Sequence, residues 1–355
     1  MQTRGARAVT PKPLAVLGAT GYTGRLVVDR ARELGFPLRL VGRRRDALEE
    51  MAVSGDEIRV ADARDERALR EAFDGVFAVA SLAGPFLATG DLPVAAAIDR
   101  GAHYLDTSGE QAFARRVYDT YGGPAEAGNV VVLTSFGFDY VPGDFAARLA
   151  ADGLEPLDEV LVAYSVSSVA ASSGTRKTIG HVMRQPQVTW EGGRLVESRF
   201  GASMRTMRFP FGDRAVVEWS GTEPLTVPRH TQTQRVRSYV RAPRAAARTA
   251  RIARLAAPLV GLTGRVGDGP SPQRRARTKF TVVAEAHGPN GSRRVTLTGQ
   301  DPYGLTALLI AHGAQALRNG EVRNAGTLAP AEAFEPRSFI ARVAPLIEIQ
   351  AVEEL

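Results

Sequence analysis

The sequence predicts an α/β protein in which a doubly wound parallel sheet is accompanied by a second, α+β region of mainly antiparallel sheet. Three observations predict it. Short apolar runs alternate with helical patterns over residues 1–145, a three-glycine turn breaks the first run into a helix, and the rhythm changes beyond about residue 146. A chain of 355 residues with 44% hydrophobic content can bury substantial cores, and that length suggests two domains.

In the first region, strands are expected near 14–18, 38–42, 57–61, 76–80, 103–107 and 129–133, enough for a complete dinucleotide fold of the Rossmann type. The first strand enters Gly18-Ala19-Thr20-Gly21-Tyr22-Thr23-Gly24. Gly18 permits a tight turn, Gly21 removes a side chain where backbone must approach phosphate, and Gly24 lets helix and strand pack closely. Free N–H groups at the helix start then face the anion. Candidate cofactor contacts here are Gly18, Thr20, Gly21, Tyr22, Thr23 and Gly24. Asp65 reads as a helix cap, and Gly35 and Gly101 stand where helices should stop.

The second strand ends in Gly42-Arg43-Arg44-Arg45, where an NAD site usually places a carboxylate for the ribose 2′-hydroxyl. Arg43 suits a forked contact with a 2′-phosphate, and a neighbour such as Arg44 can add a second or stack on adenine. NADP(H) is the expected cofactor. The alternative is that arginine is simply common here, since Arg supplies all but three of the 45 basic residues.

Zero cysteines exclude disulfides and thiolate chemistry, and five scattered histidines offer no metal-ligand spacing. No apolar run approaches the ~20 residues needed to cross a bilayer, and the basic leader has no signal-peptide core, so the cytoplasm is the expected location.

The net charge of +7 is unevenly spread. Segment 229–279 alone carries +12, leaving −5 elsewhere. If 242–257 is helical, Arg241, Arg244, Arg248 and Arg251 share one face over about 80°, a stripe suited to an acidic partner or simply a solvated face. Nucleic acid is a poor fit, because only Tyr239 interleaves with these arginines. Peripheral membrane attachment through the leucines that follow is interrupted by Pro258.

The second region, 146–300, contains strand-like runs at 157–167, 194–199, 203–209 and 215–219 and a helical pattern over 175–183. Runs at 278–286 and 293–298 flank Gly288-Pro289-Asn290-Gly291 and read as a hairpin. Stretch 258–272, rich in glycine and proline, reads as a mobile loop. Residues 301–355 are expected to be a helical region packing back on the first domain.

Ligands of a doubly wound sheet lie beyond the carboxyl ends of its strands. After strand four come Leu82, Ala83, Gly84, Pro85 and Phe86, a candidate cofactor wall. After strands five and six come His103-Tyr104-Leu105-Asp106-Thr107-Ser108-Gly109-Glu110 and Gly137-Phe138-Asp139-Tyr140-Val141-Pro142-Gly143-Asp144.

With the glycine fingerprint, these stretches resemble the saccharopine dehydrogenase-like reductases, in the bacterial branch that includes trans-acting enoyl reductases. The resemblance extends through Ser173-Gly174-Thr175, Gly269-Pro270, residues 273–277 and Gly299-Gln300-Asp301-Pro302-Tyr303. It implies NADP(H), a Rossmann domain and an inserted substrate domain, in a family that spans several reactions.

Hydride transfer also needs a proton donor. Tyr140 is the first candidate, with Asp139 alongside, although Tyr140 can equally pack in its tight turn. Tyr104 and Asp106 share a strand face, as either a donor pair or a buried tyrosine satisfied by its neighbour. Glu110 reads as stabilising the start of its own helix. Lys177 and His181, one helical turn apart, suit a phosphate or carboxylate, and Tyr303 a substrate-lid contact. The first expected reaction is enoyl reduction on a carrier-bound acyl chain, with Arg244, Arg248 and Arg251 facing an acidic acyl carrier protein. Imine reduction and a non-catalytic NADP(H) sensor are the alternatives.

Overall fold

The computed structural model describes residues 11–167, 186–219, 221–242 and 269–355. Lys177, His181, Arg244, Arg248 and Arg251 lie outside these residues. So do the helix expected over 175–183 and nearly all of the one expected over 242–257.

All six strands expected in the first region are present: β1 (Leu14–Leu17), β2 (Leu38–Gly42), β3 (Glu57–Val60), β4 (Ala78–Ser81), β5 (His103–Asp106) and β6 (Val131–Leu133). They form a parallel sheet in the order β6-β5-β4-β1-β2-β3, the doubly wound arrangement with its switch between β1 and β4. β1, β2, β4 and β6 are buried along their whole lengths, because helices cover both faces. Gly35 and Gly101 end helices with φ of 70° and 64°, and Asp65 caps its helix by accepting from the Ala68 N–H at 3.0 Å.

The second sheet contains β7 (Glu159–Val166), β8 (Gln187–Glu191), β9 (Arg194–Ser198), β10 (Met204–Phe209), β11 (Gly212–Glu218), β12 (Arg235–Arg241), β13 (Lys279–Gly288) and β14 (Gly291–Gln300). Its pairings are antiparallel except between β12 and β7. β13 and β14 form the expected hairpin, with Gly288 facing Gly291. β7 alternates between two cores. Val160, Val162 and Tyr164 join the main core, whereas Leu161 and Ala163 pack with Met207, Phe209, Tyr239 and Val283 on the other face.

The nearly all-buried helix Val141–Ala151 lies between the two sheets, and one continuous core runs from Leu14 and Leu40 to Val295 and Leu297. Helix Pro302–Arg318 packs along helix Tyr22–Glu33. Where the sequence pattern suggests only helix beyond residue 301, the chain also supplies two strands. β15 (Gly326–Thr327) extends the first sheet beside β6, and β16 (Ile347–Glu354) extends the second beside β14.

Candidate active site

The fingerprint glycines differ in what they do. Gly18 adopts φ of 81°, and a Cβ there would lie 3.1 Å from the Leu82 carbonyl carbon. At Gly24 a Cβ would lie 2.1 Å from the Gly18 carbonyl oxygen, so only glycine lets the helix close on the loop. Gly21 has an ordinary φ of −72° and stands at the N-cap of helix Tyr22–Glu33. No side chain caps that helix and no acidic residue occupies its first turn, which leaves the N–H groups around Tyr22 and Thr23 open to an anion. Thr20 is half-buried beside them.

Arg43 and Arg44 are exposed at the end of β2, with no carboxylate in the position that would favour a 2′-hydroxyl. The charge of Arg43 reaches Asp62, after β3, whose carboxyl is held down at about 2 mainly by its hydrogen bonds from Arg64 and partly by Arg43. Of the expected cofactor wall, Ala83 is half-buried and Gly84 and Pro85 are exposed, whereas Phe86 turns inward against Phe113 at 5.7 Å. Glu110 does not serve its own helix. Its carboxylate accepts from the N–H groups of Phe86 and Leu87 at 2.8 and 3.0 Å, holding the loop after β4 from the exit of β5.

Tyr104 and Asp106 are both wholly buried. Asp106 accepts from the Ser108 and Ser135 N–H groups, each at 2.8 Å, and from the Thr134 hydroxyl at 3.0 Å. It thereby ties the exits of β5 and β6 together. Burial pushes its carboxyl up to about 6 against these bonds. The buried Tyr104 hydroxyl lies against the Ser81 and Asp106 side chains, and Ser135 holds φ of 58° with its own hydroxyl unpaired.

Tyr140 is 1% exposed, and its hydroxyl donates to the Gly109 carbonyl at 2.8 Å. Burial raises its pKa well above 10. Asp139 is different. It is exposed, yet surrounded closely enough by protein that burial pushes its carboxyl up to about 6. Asp144, in the first turn of helix Val141–Ala151, bonds His230 at 2.9 Å and accepts from the Ala331 N–H at 2.8 Å.

An apolar strip leads away from Asp139 across the second sheet. Phe138 contacts Phe280 at 4.6 Å and Tyr164 at 6.2 Å. Trp219 contacts Tyr140 at 6.1 Å and Tyr164 at 6.4 Å. Tyr164 lies opposite Val240, and Val240 opposite Val217, so these side chains share a face that continues into Phe200, Ala215 and Ala242. Behind the strip is Glu223, fully buried, accepting from the hydroxyls of Tyr164 at 2.7 Å and Ser238 at 2.6 Å, with burial pushing it up to about 7.

Three stretches that are distant in sequence meet over the fingerprint. The Tyr22 hydroxyl donates to the Pro270 carbonyl at 2.6 Å, and its ring meets that of Tyr303 edge-on at 5.0 Å. Gly269, with φ of 135°, lies so close to the Tyr22 ring that a Cβ would come within 2.5 Å. Arg275 pairs with Asp301 at 3.0 Å beside them. Tyr22 and Tyr303 were expected as contacts of different ligands, and they touch each other. The roles of Asp62, Trp219, Glu223 and Arg275 carry no local sequence signal. In the basic segment, Arg229, Arg237 and Arg275 pair with Glu332, with Glu191 and Glu218, and with Asp301, respectively, so part of its charge is neutralised within the fold.

A NAD(P)H-binding family model matches residues 18–163. The trans-acting enoyl reductase of Mycobacterium tuberculosis is 27% identical over 393 aligned positions, covering 90% of this chain and 93% of that protein. A probable mitochondrial saccharopine dehydrogenase-like oxidoreductase of Arabidopsis thaliana is 31% identical over 38% of this chain and 34% of its own length. The chain thus spans about a third of the length of some curated relatives it matches. In fold, saccharopine dehydrogenase (L-Glu forming) of Saccharomyces cerevisiae superposes with a TM-score of 0.64 at 12% identity, over 97% of this chain and all of that one. The glycine cradle, the uncapped helix start and the arginines after β2 fit NADP(H), and all lie within the residues that the NAD(P)H-binding family model matches.

Proposed function

We propose that this NAD(P)-binding oxidoreductase, related in fold to saccharopine dehydrogenase and in sequence to bacterial trans-acting enoyl reductases, reduces the C=C bond of a carrier-bound acyl thioester with NADPH. The observation that carries the reading is Asp139. It is an exposed carboxyl, pushed up to about 6, beyond the carboxyl end of β6, where a doubly wound sheet places its reacting ligands.

When bound, the reduced cofactor supplies a hydride to the substrate β-carbon. Negative charge then develops toward the thioester oxygen, and Asp139 delivers its proton to the α-carbon. Trp219, backed by the buried Tyr140, is the surface against which the enoyl group lies, and the partly exposed Val240, Phe200 and Ala242 take the apolar chain. Tyr140 acts by position, since its hydroxyl is engaged with Gly109. Asp106 holds the β5 and β6 exits in register, and Tyr104 fills the core behind it. Arg43 and Arg44 hold the 2′-phosphate, and the fingerprint from Gly18 to Gly24 holds the pyrophosphate.

The strip favours an acyl chain over an amino acid, which would need charged partners there. The remaining expectations, that Arg244, Arg248, Arg251, Lys177 and His181 face an acidic carrier or its phosphopantetheine, belong to this proposal as sequence-based parts. NADPH oxidation with free and carrier-bound enoyl thioesters, with a cyclic imine as control, tests it. Turnover confined to the imine replaces the reading with amine-forming chemistry.

A further inference from the structure

Arg275 lies beside the fingerprint, against Tyr22 and Asp301. Its guanidinium is largely buried, with a side chain 16% exposed, and its Nε makes no hydrogen bond even though Asp301 lies 3.0 Å away. Its charge reaches the hydroxyl of Tyr22, the first residue of the fingerprint helix, where burial is the larger influence. Arg275 thus adds a positive charge on the side of the fingerprint that the Tyr22 side chain faces, near a helix whose first N–H groups have no side-chain cap. Asp301 offsets only part of the charge. Its other oxygen caps helix Pro302–Arg318 by accepting from the Gly304 N–H at 2.9 Å, so one carboxylate answers both a helix terminus and a guanidinium.

The surroundings fix this arrangement. Pro270 accepts from Tyr22, Tyr303 packs on the Tyr22 ring, and Gly269 lies against the same ring, which positions the start of helix Pro272–Arg277 beside the fingerprint. A positive helix end and a largely buried arginine share one carboxylate, an arrangement that a further anion would complete.

We propose that Arg275 is a ligand of the cofactor pyrophosphate, supplied from a segment some 250 residues beyond the fingerprint, and that Asp301 and Tyr22 hold it there. This division of labour differs from that of Arg43, which serves the 2′-phosphate. The two roles are separable by fragments of the cofactor. 2′,5′-ADP carries both the 2′-phosphate and the first phosphate of the pyrophosphate, whereas 2′-AMP carries only the former.

The test is calorimetric titration of the full chain with NADPH, 2′,5′-ADP and 2′-AMP. Arg275→Gln should raise the Kd of NADPH and 2′,5′-ADP about tenfold, as expected for a charge-assisted hydrogen bond, and leave 2′-AMP within about twofold. Arg275→Lys, which keeps the charge, should recover much of the loss. A merely structural arginine would not discriminate between the fragments. Equal weakening of all three ligands, or no change in any, overturns the proposal.

Discussion

Replacing Asp139 by Asn removes the proton that the proposed reduction requires while keeping size and polarity. At pH 7 a carboxyl with a pKa of about 6 is protonated in about one molecule in ten; at the ordinary 3.8 the fraction would be about one in 1,600. The raised pKa therefore enlarges the competent population at neutral pH. The sign follows directly. The acid form is the active one, so kcat/KM for NADPH-dependent reduction of an enoyl thioester should be level below about pH 6 and fall tenfold per unit above it. Asp139→Asn should lower the rate about 100-fold or more and abolish that slope. Steady-state NADPH oxidation between pH 5 and 9 reads both. A variant with the wild-type rate and the wild-type slope would refute the assignment.

Further outcomes follow from the same geometry. Arg43→Ala should weaken NADPH about tenfold or more in fluorescence titration and barely change NADH; an unaltered preference contradicts the 2′-phosphate role. In Gly24→Ala the new Cβ would sit 2.1 Å from a backbone oxygen, so the helix must retreat and NADPH affinity should fall at least about tenfold, with a lower Tm. Glu223, pushed up to about 7 from 4.5, costs stability as pH rises through that window and no more above it. The penalty is about 3 kcal/mol at most. Glu223→Gln should therefore flatten the Tm decline between pH 6 and 7.5, whereas the slope below pH 6 should persist through Asp106 and Asp139.

The parallel domain was legible because each of its buried strands is a short apolar run separated by a helical pattern and a stop signal such as Gly35 or Gly101. β12 was not, since Arg235-Val236-Arg237-Ser238-Tyr239-Val240-Arg241 hides an alternating strand within a segment that reads as basic. β16 is half-exposed along one edge, and β15 has only two residues. At the site, sequence named Asp139 and Tyr140 together but could not say which one faces solvent. That depends on the turn that commits the Tyr140 hydroxyl to Gly109. Glu110 was assigned to its own helix because its partners, Phe86 and Leu87, lie across a strand. Arg275 reaches Tyr22 only through long-range packing, which no local pattern records.

The most direct measurement is NADPH oxidation by the purified protein with the same enoyl thioester presented on a carrier protein and as a small free mimic. The account predicts turnover of the enoyl group with saturated thioester as product, faster on the carrier and far slower with NADH. Tight NADPH binding without turnover of either thioester would contradict it.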